Sequence, residues 1–281
     1  MNIIEAVILG IVQGLTEFLP VSSSGHLVLL QKIFGINEPG LFFDTMLHLG
    51  TLIAVFAVLW KDIWELLKKP FQKLTGFLII ATIPAVIAAL LFKDPIENLF
   101  ESAQLLGFCF LITTILLITA ECLCHNLNIK NLFAVKSQKK ENLNLKDASK
   151  MTWVHAVIIG LMQAIAIPPG ISRSGATISG ALFCKLDRDF AARFSFLLSI
   201  PAILGAVVLH SKDLVSGKIV SQDINIISVI AGTLAAAAVG FFAVKFMIKI
   251  IREKSLLGFA IYTAVLGLII ILDQFVLRIV F

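Results

Sequence analysis

The hydrophobic residues of this chain fall into long uninterrupted segments, and polar residues occupy the short stretches between them. Six segments are long enough for a helix that crosses a membrane, because about 20 apolar residues span the hydrocarbon core. They are residues 42–60, 76–92, 104–122, 191–210, 224–246 and 256–277. No stretch alternates with the period of two that is typical of a membrane β-strand. The pattern therefore predicts α-helices as the spanning elements.

Two further apolar regions are too short to span and are broken by proline. Residues 3–19 end at Pro20, and residues 27–36 follow the break; residues 154–167 end at a Pro-Pro-Gly sequence, and the chain is apolar again to about residue 184. Proline cannot continue a helix, because it lacks an N–H and clashes with the preceding turn. Each region predicts a re-entrant hairpin, a helix–loop–helix that dips into the membrane and returns.

The second hairpin repeats the first at an offset of 150 residues. The matched positions are Ala6-Val7-Ile8 with Ala156-Val157-Ile158, Gly10 with Gly160, Gln13 with Gln163, Ser22 with Ser172, Ser24 with Ser174, and Gly25 with Gly175. Internal duplication is frequent in membrane proteins. The sequence predicts a first repeat at 1–124, a polar cytoplasmic linker at 125–153 and a second repeat at 154–281. Three spans in each half, an odd number, would give the repeats inverted topology.

Basic residues are distributed unevenly over the predicted loops. If both hairpins return to their own side, loops 61–75, 123–154, 181–193 and 245–255 share one face and hold 17 of the 23 lysines and arginines. The opposite face holds four, and the hairpins hold the remaining two. Because cytoplasmic loops carry the excess of positive charge, the crowded face is predicted to be cytoplasmic. The termini and the first hairpin then face the outside, and the second hairpin enters from the inside.

Composition agrees with an all-α integral membrane protein and limits its other functions. Of the 281 residues, 58% are hydrophobic and only 15% are charged, as expected for a multi-pass membrane protein. The net charge of +5 does not indicate nucleic acid, because the basic residues flank apolar spans. The four cysteines lie in or beside apolar segments without metal-binding spacing, so they are interpreted as small hydrophobic residues. The N-terminus carries no basic residue, and a cleaved signal peptide is not expected.

The two hairpin tips carry polar side chains where an ionisable group is costly, and such a group indicates a functional site. The first tip has Glu17, Ser22, Ser23, Ser24, Gly25 and His26, and the second has Ser172, Arg173, Ser174 and Thr177. Two helix N-termini, a guanidinium and several hydroxyls would bind an anion such as phosphate. At bilayer depth, that phosphate would belong to a lipid headgroup. Glu17 would repel it unless the carboxylate held a divalent cation or oriented His26. Farther along, Asp44 and His48 stand four residues apart and are interpreted as an interfacial pair.

Both tips resemble the signature motifs of a known family. The segments Gln13-Gly14-Leu15-Thr16-Glu17-Phe18-Leu19-Pro20-Val21-Ser22-Ser23-Ser24-Gly25-His26 and Pro169-Gly170-Ile171-Ser172-Arg173-Ser174-Gly175-Ala176-Thr177 are similar to those of the undecaprenyl-diphosphate phosphatase family, the bacitracin-resistance proteins. Length, linker position and hydropathy agree along the whole chain. Two positions depart from the family pattern. Gln13 stands where some members carry a second glutamate, and Ser24 replaces the commoner threonine.

The resemblance implies an enzyme that removes the terminal phosphate of undecaprenyl diphosphate in the bacterial inner membrane. The charge bias of the loops predicts that the active site faces the periplasm or outside. The resemblance also implies catalytic roles for Glu17, Ser23, His26 and Arg173 and a divalent cation, Mg²⁺ or Ca²⁺, with Glu17 and Gln13 as its metal or support residues. The expected phosphate-binding set is Ser22, Ser24, Gly25, Ser172, Ser174 and Thr177. The expected partners are the polyprenyl diphosphate lipid and the bilayer, and association into a homo-oligomer is left open.

Two questions stay open at the level of sequence. Inverted repeats with broken helices are also transporter architecture, so a lipid-carrier flippase is the competing class. A hydroxyl three residues from an imidazole favours an enzyme. Within that class, Ser23 is the candidate nucleophile with His26 as its base. The rivals are direct attack by His26 and attack by a metal-bound water.

The charge distribution predicts the side on which the linker lies. A cysteine replacing Lys139, in a variant without the native cysteines, should resist an impermeant thiol reagent applied to intact cells and react in inverted vesicles. A cysteine replacing Asn98, from a loop predicted on the other face, should behave in the opposite way. Labelling of the Lys139→Cys protein from the outside of intact cells would contradict this topology.

Overall fold

A computed structural model describes residues 1–36, 41–125, 148–215 and 225–281, and they form an all-helical protein. The helices are α1 (Ile3–Thr16), α2 (Ser23–Ile33), α3 (Leu41–Val58), α4 (Trp60–Lys68), α5 (Lys73–Leu91), α6 (Lys93–Ser102), α7 (Leu106–His125), α8 (Trp153–Ile165), α9 (Arg173–Phe183), α10 (Arg188–Val215), α11 (Ile226–Glu253) and α12 (Leu257–Leu272). A 3₁₀ turn at Ala148–Lys150 precedes α8, and a π-helical turn at Asp273–Leu277 follows α12.

The long helices confirm the prediction of a multi-pass membrane protein. Within the described ranges, α5, α7, α10, α11 and α12 are long and apolar enough to cross a membrane. Helices α3 and α4 form a pair that bends by 80° between Val58 and Trp60, and a sixth span is present if this bent pair is counted as one span. The predicted total of about six spans therefore agrees with the structure. Pro84 and Pro201, which fall in the predicted spans 76–92 and 191–210, lie within α5 and α10.

The two predicted hairpins are present as helix–loop–helix units. In the first, α1 and α2 are joined through Pro20; in the second, α8 and α9 are joined through Pro168 and Pro169. Capping boxes at Asn2 and Thr152 begin α1 and α8, so the first N–H groups of each helix are satisfied. The second hairpin is the more deeply embedded, because every residue of α9 from Ser174 to Leu182 is buried.

The first helix of each hairpin packs against a helix of the other half of the chain. Helix α1 packs against α11 of the second half, α8 packs against α5 of the first half, and α7 packs against α12. Glycines allow these contacts: a Cβ on Gly10 would lie 2.2 Å from the carbonyl oxygen of Gly232, and one on Gly160 would lie 2.5 Å from that of Ala81. Small residues permit such close helix approach. The repeat boundaries and the inverted orientation stay predictions, and residues 126–147 of the linker lie outside the described residues.

Two predicted loops are helical, which corrects the sequence interpretation. Residues 61–75 were expected to be a loop because of their lysines, but α4 occupies most of them. Trp60, Ile63, Trp64 and Leu67 have the spacing of one helix face, and Ile63 is buried in the core. The segment 93–103, expected to be a loop because it lies between the predicted spans 76–92 and 104–122, is mostly α6. Its proline lies in the first turn, where a missing N–H is tolerated.

The helices at the predicted spans 191–210 and 224–246 extend beyond those bounds. Helices α10 and α11 each contain 28 residues, and the part of α10 that can cross a membrane is Arg188–Val208. A partnered charge lies at the start of α10. Arg188, in the first turn of α10, donates to both carboxylate oxygens of Glu121 at 3.3 Å and to the carbonyls of Ile251 and Lys254. These bonds join α7, α10 and the end of α11. A buried charge is tolerated only when it is paired and hydrogen-bonded in this way.

The glycine contact between α1 and α11 predicts a stability difference. Gly10→Ala should lower the thermal unfolding temperature in detergent, since overpacking typically costs about 1–3 kcal/mol. Gly76→Ala is the matched control on α5, where a Cβ meets no atom within 4 Å, and alanine should be neutral or stabilising there. Equal unfolding temperatures for Gly10→Ala and the unchanged protein would contradict the close packing of α1 on α11.

Candidate active site

The two hairpin tips meet, as the sequence predicted. Arg173, the first residue of α9, forms an ion pair through its Nη2 with Oε1 of Glu17, which follows the last residue of α1. The Ser174 hydroxyl donates to the carbonyl of Leu19 over 2.9 Å, a second bond between the tips. A carboxylate from one hairpin and a guanidinium from the other therefore lie in direct contact.

The Glu17 carboxylate is the centre of a hydrogen-bonded cluster. Its residue is only 5% exposed. Oε2 accepts from the Ser23 hydroxyl over 2.5 Å and from Nε2 of Gln13 over 2.9 Å, and Nδ1 of His48 lies 3.3 Å away. Since an uncompensated buried carboxylate is very unfavourable, these partners together with Arg173 account for a charged group at this depth.

His48 belongs to this cluster, although it was expected to pair with Asp44. Its Nδ1 lies 2.8 Å from Nε2 of Gln13, whereas Asp44 accepts from Gln31 over 2.8 Å. Helix α3 reaches α1 because it packs closely on α11, where a Cβ on Gly50 would lie 2.3 Å from the carbonyl of Thr233. His48 is 31 residues from Glu17 in sequence, so no spacing rule indicated the contact.

The Ser22 backbone is strained, and its counterpart in the second tip is not. Both serines cap a helix by accepting from the N–H three residues on, Ser22 from Gly25 at 3.3 Å and Ser172 from Gly175 at 3.0 Å. Ser22 has φ 68° and ψ 93°, whereas Ser172 has φ −71° and ψ 118°. A non-glycine residue in such a region costs of order 1–3 kcal/mol, and such residues cluster at functional sites.

His26 lies in the same turn but has partners outside the Glu17 cluster. Its Nδ1 is 2.7 Å from the carbonyl oxygen of Ser22, and its Nε2 is 2.7 Å from the hydroxyl of Tyr262. The His26 and Tyr262 rings are nearly parallel, with centroids 5.7 Å apart and an angle of 4° between their planes. The Ser23 hydroxyl donates to Glu17 instead of to His26. The expected pairing of Ser23 with His26 is therefore not found, because the imidazole is turned toward its own helix end and α12.

Tyr262 was missed by the sequence interpretation. It is the only tyrosine in the chain and lies in the apolar helix α12. The residue is 46% exposed, and a single phenol among aliphatic residues was the available signal. The partner itself, 236 residues away in sequence, follows only from the packing of the folded chain.

The predicted phosphate-binding residues surround this centre in two groups. The hydroxyls of Ser22 and Ser24 lie 3.4 Å apart, and those of Ser172 and Ser174 lie 3.2 Å apart. Thr177 is buried, with its hydroxyl 2.8 Å from the Arg173 carbonyl and 2.6 Å from Ser195 Oγ. In this structure Thr177 therefore braces the first turn of α9, and its contact with phosphate stays a prediction.

The second tip is held to the first half by Thr113 of α7, which the sequence did not single out. Its hydroxyl accepts from the N–H of Ser172 over 2.9 Å and donates to the carbonyl of Gly170 over 3.0 Å. Gly170 has φ 95°, a conformation that favours glycine. These bonds fix the break between α8 and α9 and hence the direction in which Arg173 leaves the tip.

Two buried polar atoms of the cluster have no protein partner. Among the described residues, these include Nη1 of Arg173, a donor, and Oε1 of Gln13, an acceptor. A free guanidinium N–H beside two helix N-termini suits a phosphate oxygen. The carboxylate of Glu17 and the Gln13 amide oxygen suit a divalent cation, since Mg²⁺ is usually held by one or two carboxylates together with substrate phosphates. The described residues contain no group of three His, Cys, Asp or Glu side chains that could hold a metal alone.

The fold and the site together define a multi-pass membrane protein with a buried serine–carboxylate–guanidinium centre where two helical hairpins meet. Comparison with known proteins identifies the family within this class. The family model described as bacitracin resistance protein BacA matches residues 6–269. Because that match covers most of the chain, the chain belongs to the bacitracin resistance protein BacA family.

Curated relatives are similar over nearly their whole length. "Undecaprenyl-diphosphatase 4" of Bacillus thuringiensis subsp. konkukian is 47% identical over 275 residues, which are 98% of each chain. "Undecaprenyl-diphosphatase" of Carboxydothermus hydrogenoformans is 46% identical over 274 residues, again 98% of each chain. The protein of the same name from Halothermothrix orenii is 41% identical, over 97% of this chain and 98% of its own.

The contact between the tips predicts a large stability difference between two arginine variants. Arg173→Gln should cost a few kcal/mol, because it leaves the buried Glu17 carboxylate without its opposite charge. Arg193→Gln is the matched control, because Arg193 pairs with Asp189 at 2.8 Å and with Asp62 at 3.2 Å where all three side chains are partly exposed. Loss of one such exposed pair should cost under ~1 kcal/mol. Thermal or denaturant unfolding in detergent measures both. An Arg173→Gln protein as stable as Arg193→Gln would contradict a structural role for the Glu17–Arg173 pair.

Proposed function

We propose that the protein hydrolyses undecaprenyl diphosphate to undecaprenyl phosphate and inorganic phosphate. The observation that carries this proposal is the Ser23 hydroxyl bonded to Glu17, beside the Arg173 guanidinium of the other tip. This centre brings a hydroxyl, a carboxylate and a guanidinium into contact within a membrane protein, and these groups would serve as nucleophile, proton acceptor and phosphate ligand. The names of the curated relatives support the same substrate.

Arg173 is assigned to the terminal phosphate. Its Nη2 is occupied by Glu17, while Nη1 is buried and unpartnered, so one edge of the guanidinium is fixed and the other is available. The N–H groups at the starts of α2 and α9 and the hydroxyls of Ser24 and Ser174 would complete the set of donors. Phosphoryl transfer depends mainly on positioning and on stabilising the charge of the phosphate oxygens, and donors fixed before the substrate arrives provide both.

Ser23 is assigned as the nucleophile and Glu17 as its base. The serine Oγ attacks the terminal phosphorus and passes its proton to Glu17, with which it already shares a short hydrogen bond. The bond from that phosphorus to the bridging oxygen breaks, and undecaprenyl phosphate leaves. Water then hydrolyses the phosphoserine, releasing inorganic phosphate and restoring the hydroxyl. A serine needs an adjacent base for such a step. The rival is attack by His26 or by water, with Ser23 only a hydrogen-bond donor.

A divalent cation, Mg²⁺ or Ca²⁺, is part of the proposal. Glu17 and the unpartnered Oε1 of Gln13 would hold it together with the diphosphate. When bound, it neutralises charge on the phosphate oxygens. The family pattern of two carboxylates is reduced here to one carboxylate and one amide, which should weaken cation affinity in the absence of substrate.

The cellular setting follows from the same proposal. The protein would lie in the bacterial plasma membrane with its site facing outside, where it would recycle the lipid carrier for cell-wall synthesis. The family description supports a link to bacitracin resistance. This orientation is supported by the excess of basic residues on one face of the predicted topology, since cytoplasmic loops carry most of the positive charge.

Phosphate release from undecaprenyl diphosphate by the purified protein tests this function. We expect release that stops with a chelator, and a loss of at least 10²–10³ in rate for Ser23→Ala, as for removal of one transition-state contact. Ser199→Ala is the matched control, since that buried serine donates only to the carbonyl of Phe196. Activity of Ser23→Ala near that of the control would exclude Ser23 as nucleophile. Transfer of the lipid across vesicles without phosphate release would favour the flippase.

A further inference from the structure

The hydrogen bonds of His26 determine what its ring can do. The carbonyl oxygen of Ser22 has no proton to give, so Nδ1, 2.7 Å away, must carry the hydrogen and donate it. In the neutral ring Nε2 then holds the only lone pair, and this nitrogen lies 2.7 Å from the Tyr262 hydroxyl. In the protonated ring neither nitrogen can accept. In either state no lone pair of His26 is directed at Ser23.

Repeat symmetry provides an internal comparison. The counterparts of Ser22 and His26 in the second tip are Ser172 and Ala176. Both carbonyls accept the ordinary helical N–H bond from the fourth residue on, at 3.2 Å and 2.8 Å. Only Ser22 accepts a second bond from a side chain, and only Ser22 has positive φ. The strained conformation thus occurs in the tip that has the imidazole and is absent from the tip that has a methyl group.

The conformation of Ser22 affects the residue that follows it. The Ser22–Ser23 peptide sets where the first side chain of α2 begins, and the Ser23 hydroxyl reaches Glu17 from that position. A small rotation of this peptide would move the hydroxyl away from the carboxylate. Misplacement of a reacting group by about 1 Å can cost ~10² in rate.

We propose that His26 is a positioning residue whose Nδ1–H holds the Ser22 carbonyl, and that Tyr262 acts through it by donating its hydroxyl to Nε2. The pair fixes the Ser22 backbone and thereby aims Ser23 at Glu17. The bond from Tyr262 at one side of the ring and a T-shaped contact with Phe110, with centroids 5.5 Å apart, hold the imidazole in this orientation. This inference rests on the proposed function only in naming Ser23 as the group that is aimed.

Two substitutions of His26 separate positioning from proton transfer. The side-chain nitrogen of asparagine occupies nearly the place of Nδ1, whereas that of glutamine occupies nearly the place of Nε2. His26→Asn keeps the donor to Ser22 and should stay within about tenfold of the unchanged kcat, while His26→Gln should lose about 10²-fold. A proton-transfer role predicts equal losses, because neither amide can accept the proton. Equal losses in two folded proteins would overturn the proposal.

Tyr262→Phe tests the second partner. Loss of its hydroxyl should lower kcat about tenfold and leave KM unchanged, because the substrate contacts remain. Ile261→Val is the control, since that side chain is half exposed on the same helix. An unchanged kcat for Tyr262→Phe would remove Tyr262 from the proposal.

Nitrogen-15 NMR of labelled histidine provides a readout that does not need activity. The chain has five histidines, and the His26 signals are those lost in His26→Asn or, if that variant does not fold, in His26→Gln. The unchanged protein should show a neutral His26 ring with its proton on Nδ1, and Tyr262→Phe should shift population toward the Nε2–H form. A proton on Nε2 in the unchanged protein would overturn the proposal. If the unchanged protein released no phosphate, the proposed function would fail while this spectrum still decided the role of His26.

Discussion

The carboxylate of Glu17 is the constraint on which the rest of the structure depends. It lies where water cannot solvate it, and its charge is tolerable only because a guanidinium, a hydroxyl and an imidazole reach it from three other segments and an amide reaches it from its own helix. Each of those segments must be brought to the same point with hydrogen-bond precision. The hairpin breaks, the glycine contacts and the bonds of Thr113 can all be understood as means to that arrangement.

The two tips use one local design for different tasks. Each places a serine at the cap of a short helix and a second serine two residues later. At the position between them the first tip has Ser23 and the second has Arg173, so one repeat supplies the hydroxyl and the other supplies the cation. The embedded second hairpin, with α9 buried and tied to α7 through Thr113, forms a rigid support. Of the two serine caps, only Ser22 of the first tip has positive φ, and it lies beside the Ser23 hydroxyl.

Much of the fold and part of the site follow from sequence, for identifiable reasons. The spans follow from apolar length, the hairpins from proline breaks, and the meeting of the two tips from their repeat relation, whereas the ion pair between Glu17 and Arg173 was not predicted. Helices α4 and α6 were missed because loop expectations were drawn from charge, although the period of Trp60, Ile63, Trp64 and Leu67 was that of a helix.

The contacts that could not be predicted depend on packing between distant segments. His48 and Tyr262 reach the tips only because α3 lies on α11 and α12 lies on α7, and no local spacing encodes either pairing. The spacing of Ser23 and His26 on one helix indicated that His26 could be the base for Ser23. The sequence could not indicate that the Tyr262 hydroxyl lies at Nε2 of His26, because that contact depends on helix packing.

The packing of α1 and α8 against the opposite halves of the chain has a consequence for biogenesis. Helix α1 leaves the ribosome first, yet its packing partner α11 is among the last helices made, and Glu17 has no countercharge until Arg173 has been synthesised. Domains that fold independently can be completed one after another during translation, but neither half of this protein can. Nascent and truncated chains therefore contain an unfinished centre, and activity begins only when the whole polypeptide is in the membrane.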